Sequence, residues 1–215
     1  GFLAGLTASI AGFGIGSFLI PLISIQTGTK IAIVLASLPH FLGTGIRFAV
    51  FRAKVNRKIL LRFGLLSAAG GLTGAFIHTF FESNVLQLIF AVMLILAGTF
   101  GILRAFEQLR FGRVGAGLSG LVSGFFGGLV GEQGGIRSVA LLNFGIQKEA
   151  FIATATATAL LVDLVRMPIY FLSQGAVATE FISILALSSF AVIAGTFTGA
   201  FLLKRIPENF FKQLV

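Results

Sequence analysis

Runs of about 20 apolar residues decide most of what this chain can become. They occupy 31–51, 63–81, 85–103, 150–172 and 181–203, and two further apolar segments, 1–25 and 114–146, are interrupted by glycine. A run of that length crosses the hydrocarbon core of a bilayer as a helix, because only a helix satisfies its own backbone there. The chain reads as an all-α, polytopic membrane protein. Composition agrees, with 56% hydrophobic and only 11% charged residues. No cysteine is present, and His40 and His78 lie far apart in the chain, so neither a metal centre nor a cofactor is expected. The net charge of +9 comes from residues at span ends and inside spans, which points to membrane topology and away from nucleic acid. With 25 Phe, one Tyr and no Trp, any interfacial aromatic belt is built from phenylalanine.

The organising stretch is Gly127-Gly128-Leu129-Val130-Gly131-Glu132-Gln133-Gly134-Gly135-Ile136-Arg137. A continuous membrane helix would not choose five glycines, an acid, an amide and an arginine. Glycine relaxes the backbone and admits close approach, while Glu132 and Arg137 are costly at membrane depth unless paired or facing water. Glu132 and Arg137 are five residues apart, poorly placed for each other in one helix. A broken helix lining a cavity accounts for this composition. A glycine seam whose charges reach an interface is the blander account.

The pattern repeats. Gly1 and Gly5 recur as Gly120 and Gly124, and Gly12 and Gly16 as Gly131 and Gly135, each 119 positions on; Arg47 falls on Arg166 and Thr44 on Asp163 at that offset. Gly70 and Gly74 recur as Gly195 and Gly199, 125 positions on. This spacing predicts two homologous transmembrane repeats, 1–104 and 114–215, joined by a basic connector at 105–113. Short loops are expected at 26–30, at Glu82-Ser83-Asn84, at 147–149 and at 173–179. The start at Gly1 and the apolar end at Phe210-Phe211 read as a piece of a longer protein, about 7 spans of an eight-span parent, each crossing taking about 20 residues. Lysine and arginine are more numerous on the side that holds the connector, which places that side in the cytoplasm.

On a helix turning about 100° per residue, Thr156, Asp163, Arg166 and Tyr170 share an arc of about 80°, and His40, Thr44 and Arg47 share a comparable face in the first repeat. Two such faces suit a central anion site. Arg47, Arg166 and Arg137 would supply fixed charge and forked donors. Broken-helix N-termini at Gly14, Gly16, Gly134 and Gly135 would add backbone N–H groups, and Gln133 a side-chain donor. Thr156 and His40 complete the expected substrate-binding set. Glu132 is read as a proton-coupling or structural carboxylate, and Asp163 as the holder of Arg166, three residues on. Competing readings are plain: Arg47 also suits a cation snorkelling at a span end, Arg166 a structural ion pair, and His40, after Pro39, a packed polar residue.

Two glycine-rich opening spans, each followed by a short loop and a span starting Lys30-Ile31-Ala32 or Lys148-Glu149-Ala150, resemble the sulfite exporter TauE/SafE family. The Gly74 and Gly199 spans, with Glu82-Ser83-Asn84 and Pro207-Glu208-Asn209 after them, are similar to that family's third-span ending. The resemblance implies a carrier of sulfite, thiosulfate, sulfonates or related organic anions in the bacterial inner membrane. The chain departs from it where the family run GIGGG is replaced by Gly12-Phe13-Gly14-Ile15-Gly16, and by Glu132 and Gln133 in the second copy. Secondary transport of a small anion by alternating access between the repeats is the expected function, with the bilayer and a coupling proton or ion as its other partners. An anion channel would differ by uncoupled flux. A membrane scaffold would be indifferent to loss of the intramembrane arginines. No nucleophile–base pair or nucleotide loop supports an enzyme.

Overall fold

Glycine sets where the helices stop. The computed structural model describes residues 1–102, 113–203 and 205–207, and among these it contains helices and no strand. Helix α1 (Phe2–Ala11) ends at Gly12, which adopts a φ of 86° and returns its N–H to the Ala8 carbonyl at 2.9 Å. Gly14, at a φ of 127°, then admits the chain to α2 (Ile15–Thr27). Side chains are strained at both angles, so the pair makes a break that few other residues allow. The same device recurs where α6 (Arg113–Val130) meets Gly131, at a φ of 79°, and α7 (Gly134–Leu142) begins three residues later.

Each broken pair is followed by long elements: α3 (Thr29–Phe51), α4 (Arg57–His78) and α5 (Ser83–Ile102) after the first, α8 (Lys148–Glu180) and α9 (Ile182–Leu203) after the second. Four of them, α3 continued to Lys54, α4, α8 and α9, are long and apolar enough to cross a membrane. Five residues of α4, Leu60–Gly64, take the wider π turn. The loop expected at 173–179 is absent: α8 runs unbroken for 33 residues, because no glycine or proline there has a partner that would turn the chain, and Gly175 meets only Phe171 of its own helix. The loop expected at 26–30 shrinks to a turn at Gly28, with a φ of 74°. Ser83, where a short loop was expected, opens α5 and accepts from the Lys30 backbone N–H at 3.1 Å, tying α3 to the α4–α5 turn. The connector expected at 105–113, Arg113 excepted, and the residues from 208 onward lie outside the described residues.

Two seams of small residues join distant parts of the chain. Helix α4 packs on α6, with Gly70 and Gly74 against the carbonyls of Leu121 and Phe125, and Gly124 and Gly128 against those of Ser67 and Gly71. Helix α1 packs on α9, with Gly5 against the Val192 carbonyl and Gly195 and Gly199 against those of Phe2 and Leu6. At each of these glycines an added Cβ would fall closer to a neighbouring carbonyl oxygen than real side chains come. Such close approach replaces the hydrophobic drive that lipid removes, through dispersion and Cα–H···O contacts.

Helices α3 and α8 face each other between the seams and are the most buried of the long helices: 61% and 67% of their apolar windows, against 44% for α4 and α9. The distribution of polarity inverts that of a soluble protein. Arg47, Arg137, Arg166 and Asp163 are each at most 1% exposed, while Leu172 and Phe190 are 89% and 75% exposed. Apolar side chains turned outward with charges turned inward are what a bilayer selects.

Candidate functional site

The two breaks touch each other. Gly16, in the first turn of α2, abuts the Gly131 carbonyl, and Gly134, in the first turn of α7, abuts the side chain of Phe13. Arg137 reaches across and donates from Nη2 to the Gly12 carbonyl at 2.9 Å. Glu132 reaches the other way: its Oε2 accepts from the Ser17 hydroxyl at 2.5 Å and its Oε1 from the Gly134 N–H at 2.7 Å. Its carboxylate therefore bridges the opening turns of α2 and α7. A negative charge belongs there, where unpaired N–H groups and the helix dipoles converge.

The opposite ends of the broken helices are negative and carry the cations. A helix that stops inside a membrane leaves its last carbonyls without partners, and no water satisfies them. Arg47 donates from Nη1 to the Ala8 carbonyl of α1 and from Nη2 to Thr44 Oγ1 at 3.0 Å. At the end of α6 three successive carbonyls are served by other helices: Gly127 by Arg166, Gly128 by the Tyr170 hydroxyl, and Leu129 by His78 Nδ1 at 2.8 Å. Arg47 is 1% exposed and bonded at both terminal nitrogens, so it does not snorkel. A Tyr170→Phe variant should lose about 1–3 kcal/mol of stability, the cost of a buried carbonyl left unpaired. Thermal unfolding in detergent followed by circular dichroism would measure it.

Asp163 links α8 to α3. Its Oδ2 lies 2.8 Å from His40 Nδ1, and its Oδ1 accepts from Arg166 Nε at 2.9 Å with Arg166 Nη2 at 2.7 Å. The expected hold of Asp163 on Arg166 is present. His40 is more than a packed polar residue, since it is the third member of that network. Thr156 lies apart, its hydroxyl turned back onto the Ile152 carbonyl of its own helix at 2.5 Å. Gly135 faces Ala97 of α5 and not the facing break.

Charge bookkeeping leaves a surplus. Asp163 is taken up by His40 and Arg166, and Glu132 by Ser17 and Gly134. Among the described residues neither Arg47 nor Arg137 has a carboxylate in salt-bridge range, and Arg137 Nε and Nη1, Arg47 Nε and both amide atoms of Gln133 have no hydrogen-bond partner. Gln133 is the residue before the first turn of α7, its side chain against Gly127 of α6, and Arg137 lies four residues on. Gln133 is 3% exposed and Arg137 1%.

Sequence reasoning passed over Ser17, a hydroxyl in the opening turn of α2 directly after Gly16. It also passed over Tyr170 and His78 as carbonyl partners. The position of Ser17, three residues after the helix-breaking Gly14, was a usable signal; the partners of Tyr170 and His78 lie 42 and 51 residues away, and nothing local points to them.

No curated protein and no solved structure matches the chain. A family model described as Sulfite exporter TauE/SafE matches residues 1–215, its whole length.

Proposed function

Because this chain belongs to the sulfite exporter TauE/SafE family, membrane transporters of sulfur-related anions and not enzymes, we propose that it carries a small sulfur oxyanion or organosulfonate through a site where its two helix breaks cross. The chain is a multi-pass membrane protein. The observation that carries the site is the pair Arg137 and Gln133: buried donors, one turn apart, with hydrogen-bonding capacity unspent. Burying a cation without a counter-charge is expensive, and an anionic substrate would offset that cost each time it binds. Arg47 Nε and the backbone at Gly14, Gly16 and Gly134 would line the remainder. Arg166, Asp163 and His40 bond mainly to one another and to the end of α6, and we assign them to positioning.

Alternating access between two repeats is the mechanism this reading implies. Matching contacts support the repeats. Gly5 meets the Val192 carbonyl as Gly124 meets that of Ser67, and Arg47 serves Ala8 as Arg166 serves Gly127, each pair related by the offsets of 119 or 125 found in the sequence. On this reading the pairs α1–α2 and α6–α7 count as one broken span each, with the connector 105–113 on the cytoplasmic side of the inner membrane.

Uptake of labelled sulfite, thiosulfate and a short alkanesulfonate into proteoliposomes of the full-length protein, with and without an imposed pH gradient, tests the proposal. Saturable uptake is expected, reduced at least tenfold by Arg137→Ala with the fold retained, about 1.4 kcal/mol of lost interaction or more. Uptake that does not saturate would indicate a channel. Absence of uptake, or indifference to Arg137, would overturn the site.

A further inference from the structure

We propose that Glu132 is a tethered occupant of the anion site, and that a substrate binds by displacing its carboxylate from the donors of both broken helices. The proposal rests on the anion-carrier reading above. Glu132 is 7% exposed, and its two oxygens are spent on two different elements, Ser17 of α2 and the Gly134 N–H of α7. It is thus the anion that currently answers the positive ends of those helices. Next to it in the chain stands Gln133, with neither amide atom partnered, and five residues on Arg137, with Nε and Nη1 unpartnered. Glu132 forms no salt bridge with Arg137 but sits on hydroxyl and backbone donors, and leaves the guanidinium two unspent donor nitrogens.

The geometry also restricts the ligand. The two donors to Glu132 come from separate half-helices and are met by two oxygens of one anionic group. A displacing ligand must likewise carry at least two acceptor oxygens on one centre, as sulfite, a sulfonate or a carboxylate does. A halide presents a single sphere and matches two separate oxygen positions beside Arg137 less well. Oxyanions should therefore compete with one another for the site, and chloride more weakly. A ligand and a tether that share donors bind in competition, so removing the tether's charge raises affinity for the ligand and slows its release.

The test is equilibrium binding of labelled sulfite to the detergent-solubilised full-length protein, alongside transport. Glu132→Gln should bind sulfite at least tenfold more tightly than the unaltered protein and turn over more slowly. In Glu132→Ala, formate should regain the role of the missing carboxylate and compete with sulfite at least tenfold more potently than it does in the unaltered protein. Should either variant fail to fold, the unaltered protein still decides. Its sulfite-minus-apo infrared difference spectrum should show a carboxylate stretch shifting as Glu132 leaves its donors. Sulfite binding equal to or weaker than wild type in a folded Glu132→Gln, or a difference spectrum without a carboxylate shift, overturns the tether and leaves the carrier reading standing. No sulfite binding in any form overturns both.

Discussion

Replacing Gly124 by alanine should leave no folded protein to purify. The added Cβ would fall inside the contact distance of the carbonyl oxygen, the carbonyl carbon and the Cα of Ser67, all of them backbone. A side chain in the way could change rotamer; a helix backbone can only move as a whole. Ordinary overpacking of a core costs about 1–3 kcal/mol because neighbouring side chains absorb it. Here α4 and α6 must separate, and the neighbouring contacts of Gly70, Gly74 and Gly128 along the same seam are lost with them. The cost should exceed that range. Gly45→Ala is the matched comparison, a glycine inside α3 whose added Cβ would meet nothing within 4 Å. It should be tolerated or slightly stabilising, since alanine is the better helix residue by about 1 kcal/mol. Size-exclusion chromatography of the two variants as fluorescent-protein fusions would decide. A monodisperse Gly124→Ala peak would show that the seam is looser than the glycine contacts indicate.

The second large effect is expected at Asp163. Asp163→Asn keeps the shape of the side chain and removes its charge, leaving Arg166 buried at 1% exposure with only neutral acceptors, the Gly127 carbonyl and the new amide oxygen, and leaving His40 without its carboxylate. Breaking a buried pair from one side typically costs about 3–5 kcal/mol, because the remaining charge has neither water nor a partner. The double variant Asp163→Asn, Arg166→Gln removes that stranded charge and should recover part of the loss. Recovery would be incomplete, since the Gly127 carbonyl at the end of α6 would still want a donor. Unfolding must be followed by circular dichroism or a fused reporter, because the chain has one Tyr and no Trp. A single variant as stable as the unaltered protein would mean that Arg166 finds another counter-charge or that water reaches it.

These two sites differ in how far a sequence betrays them. Gly124 could be singled out before any coordinates existed, because glycines four apart in an apolar run point to close helix contact. Asp163 and Arg166 could be paired because three residues bring side chains together on one helix face, and the distances agree. His40 could not be added to them, since its bond to Asp163 spans 123 residues and joins separate helices. The turn expected at 173–179 failed for a related reason. Polar residues and one glycine suggest a loop, but backbone groups continue a helix when nothing supplies a better partner, and α8 runs on to Glu180.

What the sequence determined alone is what depends on neighbours within a turn or two: the membrane class, the long apolar helices, the breaks at Gly12–Gly14 and Gly131–Gln133, and the concentration of charge inside the spans. Only the tertiary structure decided where that charge goes. It shows three arginines donating to the carbonyl ends of broken helices and Glu132 holding their N-terminal ends, with Gln133 and Arg137 left unspent. The physical reason is that a hydrogen-bonding group in lipid must find a partner, yet nothing in its local sequence says which one. Helices brought together from 39 to 125 residues away supply it, and only their packing fixes the choice.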